Sequence, residues 1–131
     1  MFLISAKGDQ MRMIVRKMRV RVRDIGGIAF VGQLLDGFEA KGLRGAVDEA
    51  RQRIGSGVVA VVAVNDGRAS IAVGVTPDLA GRFDAVALLR IAVAVLGGQG
   101  GGGRPDMAQG GGPDGSKGAE AIDAIRAALA G

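Results

Sequence analysis

Between Gly97 and Asp114 the chain reads GGQGGGGRPDMAQGGGPD, and its chemistry concentrates there. Ten of the chain's 24 glycines stand between Gly97 and Gly115, so the backbone is nearly bare and successive amides are expected to converge on an anion. Arg104 is the one cation among them, and its planar guanidinium suits a phosphate or carboxylate oxygen pair. Glycine runs are usually flexible linkers. Here the centre mixes Arg104, Pro105, Asp106, Met107, Ala108 and Gln109, that is, charge, a locked φ, an apolar anchor and an amide, none of which a linker requires. A shaped binding loop is therefore expected.

Several chemistries are excluded by what the chain lacks. Gly98, Gly100 and Gly103 satisfy G-x-G-x-x-G by letters, but they follow a helix-like run and lead into Arg104 and Pro105, whereas a dinucleotide fingerprint follows a strand and opens a helix. No G-K-[S/T] is present, which removes a Walker-type loop. With no histidine and no cysteine there is no imidazole base, thiol nucleophile, disulfide or ordinary transition-metal site, and no cofactor or metal is expected. Asp48 beside Glu49 is read as a solvated helix face rather than a catalytic pair. Only four residues are aromatic, all Phe, which leaves little for stacking exposed bases.

The net charge of +4 is unevenly distributed. Residues 1–27 carry Lys7, Arg12, Arg16, Lys17, Arg19, Arg21 and Arg23 against Asp9 and Asp24, a balance of +5, and the remainder balances to −1. Arg12, Arg16, Arg19 and Arg23 recur at helical spacing, while Arg19 to Arg23 alternates with period two. Both patterns stand, as a polyanion contact or as a solvated face. Arg12, Arg16, Lys17, Arg19, Arg21 and Arg23 are accordingly secondary binding candidates. We divide the 131 residues into a basic arm, 1–25, and one globular domain, 26–131. Met1 to Ala6 is too short for a signal segment, and Ala85 to Leu96 is too short to span a bilayer and is interrupted by Arg90, so no membrane contact is expected and a cytoplasmic location follows by default.

The elements that must carry the glycine-rich stretch can be read in order. Ile28 to Leu35 is a predicted strand; Phe38 to Ile54 is a predicted helix with Leu43, Val47, Ala50 and Ile54 on one stripe and Asp36 and Glu39 at capping-box spacing. Val58 to Val64 and Ala69 to Val75 pair as a hairpin through Asn65, Asp66 and Gly67. Thr76 and Pro77 predict a short helix toward Phe83, Asp84 caps a buried helix Ala85 to Leu96, and Ser116 to Ala130 closes the chain as an amphipathic helix with Ala121, Ile122, Ile125 and Leu129 inward. This order gives an α/β fold, a mixed sheet of about four strands with helices packed on it and the glycine-rich loop between the buried and the C-terminal helix.

Gly101, Gly102, Gly103, Arg104, Pro105, Asp106, Met107, Ala108 and Gln109 resemble the G-G-G-R-P-D-M-A-Q signature of the C-terminal domain of alanyl-tRNA synthetases, the module also called DHHA1. The likeness runs back through Leu35-Asp36-Gly37, Asn65-Asp66-Gly67 and Gly74-Val75-Thr76 to about Gly26. Gly110, where the family commonly has alanine, departs from the pattern, as does the stretch Met1 to Arg23. The resemblance implies a non-catalytic tRNA-binding domain that grips tRNA through phosphates and helps couple aminoacylation with editing. Its contacts would be Gly100, Gly101, Gly102, Gly103, Arg104, Asp106, Gln109, Gly110 and Gly111. Partners implied are an alanine-specific tRNA, the rest of the synthetase and a second copy of the chain. The alternatives are a protein-interaction or dimerisation module and the accessory nucleic-acid-binding domain of a DHH-type phosphodiesterase.

Overall fold

The computed structural model describes residues 22–25, 27–99 and 101–130. Along these, β1 is Val22–Ile25, β2 Ile28–Asp36, β3 Val58–Asn65, β4 Arg68–Val75, β5 Gly102–Arg104 and β6 Met107–Gly112; the α-helices are α1 Leu43–Ile54, α2 Ala85–Val95 and α3 Gly118–Ala130. The strands form one mixed sheet in the order β1-β2-β3-β4-β6-β5, in which only β2 and β3 run parallel. The expected mixed sheet is found with six strands rather than about four, and the glycine-rich stretch supplies two of them.

Strand β3 is central because its β-branched run can be buried on both faces. Val58, Ala60 and Val62 look toward α2 and α3, together with Ile71 and Val73 of β4; Val59, Val61 and Ala63 look toward α1, where Leu43, Ala46, Val47 and Ala50 cover them. Asp66 and Gly67 both take positive φ, the geometry of a two-residue type I′ turn, and hold Asn65 opposite Arg68.

Three local expectations are corrected. The capping box of Asp36 and Glu39 does not form: Asp36 remains in β2 opposite Val64, Glu39 makes no side-chain cap, and a 3-10 turn, Ala40–Gly42, delays α1 to Leu43. Phe38 sits in the core between, with its carbonyl receiving the Asn65 amide at 2.6 Å. The helix expected after Thr76 is instead a series of turns through Arg82. Thr76 is unavailable as a cap because its hydroxyl accepts from the Gly57 amide at 2.9 Å and donates to Asp78 Oδ1 at 2.5 Å. Helix α2 is capped by Asp84 as expected, its carboxylate accepting from the Val86 amide at 2.9 Å, but it is buried on one side only: Ala87, Arg90, Ile91 and Ala94 face outward. The closing helix buries Gly118, Ala121, Ile125 and Leu129 beside α2 on the same face of the sheet.

Candidate functional site

The glycine-rich stretch is not a free loop. Gly102–Arg104 and Met107–Gly112 form an antiparallel hairpin at the edge of the sheet, with Gly102 opposite Gln109, Gly103 opposite Ala108 and Arg104 opposite Met107. Strand β6 pairs on its other side with β4, placing Gly110 opposite Ile71 and Gly111 opposite Ser70. Extended strands send successive amides to opposite sides, so these glycines do not gather their amides into one concave nest. What β5 offers is the outward row of an edge strand.

Glycine is needed here for approach. A Cβ on Gly110 would stand 3.0 Å from Val93 Cγ2 of α2, and one on Gly111 would stand 2.5 Å from the Ala69 carbonyl oxygen. A bare strand lets α2 and β4 close on it from two directions, and that packing makes strands of residues whose intrinsic preference is against them.

The turn between β5 and β6 is pinned from three elements. The Asp106 carbonyl accepts from the Val75 amide of β4 at 2.9 Å and from Arg51 Nη1 of α1 at 3.1 Å, while the Pro105 carbonyl accepts from the Ala85 amide at the start of α2 at 2.8 Å. Arg51 Nη1 also donates to the Val75 carbonyl at 3.2 Å, and its Nη2 pairs with Asp48. Arg51 is thus 82% covered in effect, its side chain being 18% exposed. Read locally, Arg51 has no more than a place in the last turn of a helix; the nearest signal of its role is Gly74, where a Cβ would come within 2.9 Å of Arg51 Cδ.

Arg104 leaves this fixed turn with its side chain 65% exposed. Its Nε lies 3.5 Å from Asp106 Oδ1, and the same carboxylate is 3.9 Å from Arg51 Nη1. Asp106 is therefore shared between two guanidinium groups, which leaves Arg104 able to take a second anion.

Register decides which candidates stand together. Residues paired directly across strands share a face, so Gln109 and Gly102 lie on the α1 side with Met107 and Arg104, as do Ser70 and Gly111. Gly103 and Gly110 belong to the opposite face, toward α2. Gly101 is exposed and lines a cleft of about 260 Å³ with Arg90, Val93, Ala94 and Gly98. Gly100, Arg12, Arg16, Lys17, Arg19 and Arg21 lie outside the described residues; Arg23 lies in β1, opposite Phe30 at the other edge of the sheet. Among the described residues there is no group of three or more carboxylates placed to hold a metal ion, and no helix is long and apolar enough to cross a membrane.

The DHHA1 domain model matches residues 9–131. A curated alanine–tRNA ligase of Rhizorhabdus wittichii is 64% identical over 107 residues, covering 82% of this chain and 12% of that protein. The alanine–tRNA ligase of Rhodopseudomonas palustris is 59% identical over 111 residues, covering 84% of this chain and 12% of that protein. The chain thus spans 12% of the length of these relatives. Among solved structures, the C-Ala domain of Aquifex aeolicus alanyl-tRNA synthetase superposes with a TM-score of 0.79 at 30% identity, covering 85% of this chain and 99% of that domain. A member of the s1p family of ribosomal proteins, described by its DHH domain, shares the fold alone, with a TM-score of 0.60 at 19% identity over 93% of this chain and 31% of that one.

Proposed function

The chain belongs to the DHHA1 domain family, and we propose that it is the non-catalytic, tRNA-binding C-terminal domain of an alanine–tRNA ligase. In this reading it grips tRNA through phosphate contacts made by the β5–β6 hairpin and helps one bound tRNA serve both aminoacylation and editing. The observation that carries it is the position of Arg104, a largely exposed guanidinium on a turn fixed by α1, β4 and α2. A rigid base holds a two-point donor in place before the ligand arrives, which lowers the ordering cost of the contact. Phosphates carry no base identity, so the domain contributes affinity and position while sequence choice lies elsewhere in the ligase.

The remaining partners follow from the same reading: the rest of the synthetase, a second copy of the chain, and a cytoplasmic setting. Parallel titrations of tRNA, duplex RNA and single-stranded DNA over a range of salt test it. Saturable binding to tRNA that weakens linearly in log salt is expected; affinity for tRNA no greater than for single-stranded DNA sinks the proposal.

A further inference from the structure

The face that carries Arg104 continues well beyond it. Helix α1 packs on β3 and β4, and Met107 closes the covered core at that side; past it the sheet is open, with Gln109, Gly111 and Ser70 half-exposed and Arg68 exposed. Arg68 pairs across the turn with Asn65, whose amide reaches the Phe38 carbonyl on the α1 side, which puts Arg68 on this same open face. From Gly74, level with Met107 and Arg104, to Arg68 is six residues of β4, or roughly 20 Å at the rise of an antiparallel strand.

We infer that this open half-sheet is one track for the phosphate backbone of an RNA, with Arg104 at one end and Arg68 at the other. The inference rests on the nucleic-acid reading above and adds to it a second cationic contact and a direction, along β6 from Met107 to Gly112. Four observations support the track. Arg68, Ser70 and Gln109 are donors whose side chains have no hydrogen-bond or ion-pair partner among the described residues. Beside Gln109 and Ser70 the floor is Gly102 and Gly111, and at those two positions no side chain stands above the backbone. At the Arg68 end an open cleft of about 440 Å³ is lined by Arg68, Ser70, Gln99, Gly98, Gly111 and Pro113 among others, and no carboxylate contributes to its lining. Finally, the large exposed apolar side chains among the described residues are Leu34 and Ile91, and neither is on this face: Leu34 lies against Gly118 of α3, and Ile91 projects from α2. Among the described residues, a protein partner seeking an apolar core has nothing to bury on this face, and bases have no aromatic ring to stack on. The chemistry left is donor groups facing a sugar-phosphate chain.

Arg68→Gln tests this in the full chain, with a tRNA transcript and a duplex RNA as probes and Arg104→Gln and the outward-facing Arg44→Gln alongside. Arg68→Gln should weaken binding about tenfold, the scale of one charge-assisted contact, and reduce the slope of log affinity against log salt by roughly 0.7 to 0.9. Arg68→Gln with Arg104→Gln should remove about twice that slope, and Arg44→Gln should leave it unchanged. Since the Arg68 side chain has no partner among the described residues, melting temperature should stay at the wild-type value, and Arg68→Glu should weaken binding further. Wild-type affinity and slope in Arg68→Gln and Arg68→Glu, with Arg104→Gln still weakened, overturn the track and leave the hairpin contact standing. A wild-type chain that binds neither probe overturns the nucleic-acid reading itself. Equal losses for Arg44→Gln and Arg68→Gln also overturn the track, since they would show only a response to net charge.

Discussion

Arg51 and Asp106, 55 positions apart in the chain, meet through a hydrogen bond from the Arg51 Nη1 to the Asp106 backbone carbonyl at 3.1 Å. The contact ties the helix on one face of the sheet to the turn of the edge hairpin, and it uses backbone on the hairpin side. The turn is therefore held by its shape while Asp106 keeps its carboxylate and Arg104 keeps most of its surface.

Arg51→Met should lower stability by about 2 kcal/mol, because it leaves two largely covered carbonyls short of a donor and Asp48 without its partner. Arg51→Lys should recover part of this, since one ammonium cannot reproduce the fork. Urea unfolding of the three proteins measures both effects; a stable Arg51→Met protein would show that the Val75 and Ala85 amides hold the turn without help.

Arg104→Ala should weaken tRNA binding by roughly 1.5 to 3 kcal/mol with little change in melting temperature. Its contact to Asp106, a single 3.5 Å approach at the surface, is of a kind that contributes at most about 1 kcal/mol to folding. Arg104→Lys should restore the affinity only in part. A drop in melting temperature matching the loss of binding would assign Arg104 to shaping the hairpin instead.

Two glycines on the same face should respond oppositely to alanine. Gly111→Ala places a methyl 2.5 Å from the Ala69 carbonyl oxygen and should cost about 2 kcal/mol or more, by prying β6 from β4. Gly102→Ala meets nothing within 4 Å and should be tolerated. Paired denaturation curves decide, and the reverse order would contradict the packing described.

Removing residues 1–21 should lower nucleic-acid affinity and flatten its salt dependence, since Lys7, Arg12, Arg16, Lys17, Arg19 and Arg21 go with them. The cut stops short of Val22 because β1 pairs with β2. An unchanged salt slope would exclude these cations from the contact.

The Asp78 carboxyl is held below its ordinary value, first by the Ser56 hydroxyl and then by that of Thr76. A carboxyl lowered in the folded state adds stability that is complete above its unfolded value of about 3.8 and is lost as pH falls through the lower folded value. Asp78→Asn should thus be less stable than wild type at neutral pH, and the gap should narrow in acid below about pH 4. A gap independent of pH would show that the ionised form is not what the two hydroxyls favour.

How far the sequence was legible depended on the range of the forces involved. The β3–β4 hairpin was readable because Asp66 and Gly67 encode their own turn, and α2 because Asp84 caps it from two residues away. The capping box was misread because a pattern of spacing cannot tell that Asp36 is still needed in β2. Strands made of Gly102, Gly103, Gly110 and Gly111 were invisible, since glycine disfavours strands and only β4 and α2 closing on them overrides that preference. Arg104 was readable as an exposed guanidinium in a special setting; Arg51 was not, because its partner lies half the chain away.

A surface built of glycine backbone has few rotamers to lose. On a lysine-rich patch each immobilised side chain costs about 0.5 to 1.5 kcal/mol when a ligand docks. At Gly102 and Gly111 the conformational freedom was surrendered earlier, when the strands formed, and nothing further is frozen there by a ligand lying across them. The entropy that opposes docking on this face is concentrated in Arg104 and Arg68 at the ends and Gln109 between them, and the glycine backbone beside them adds little to it.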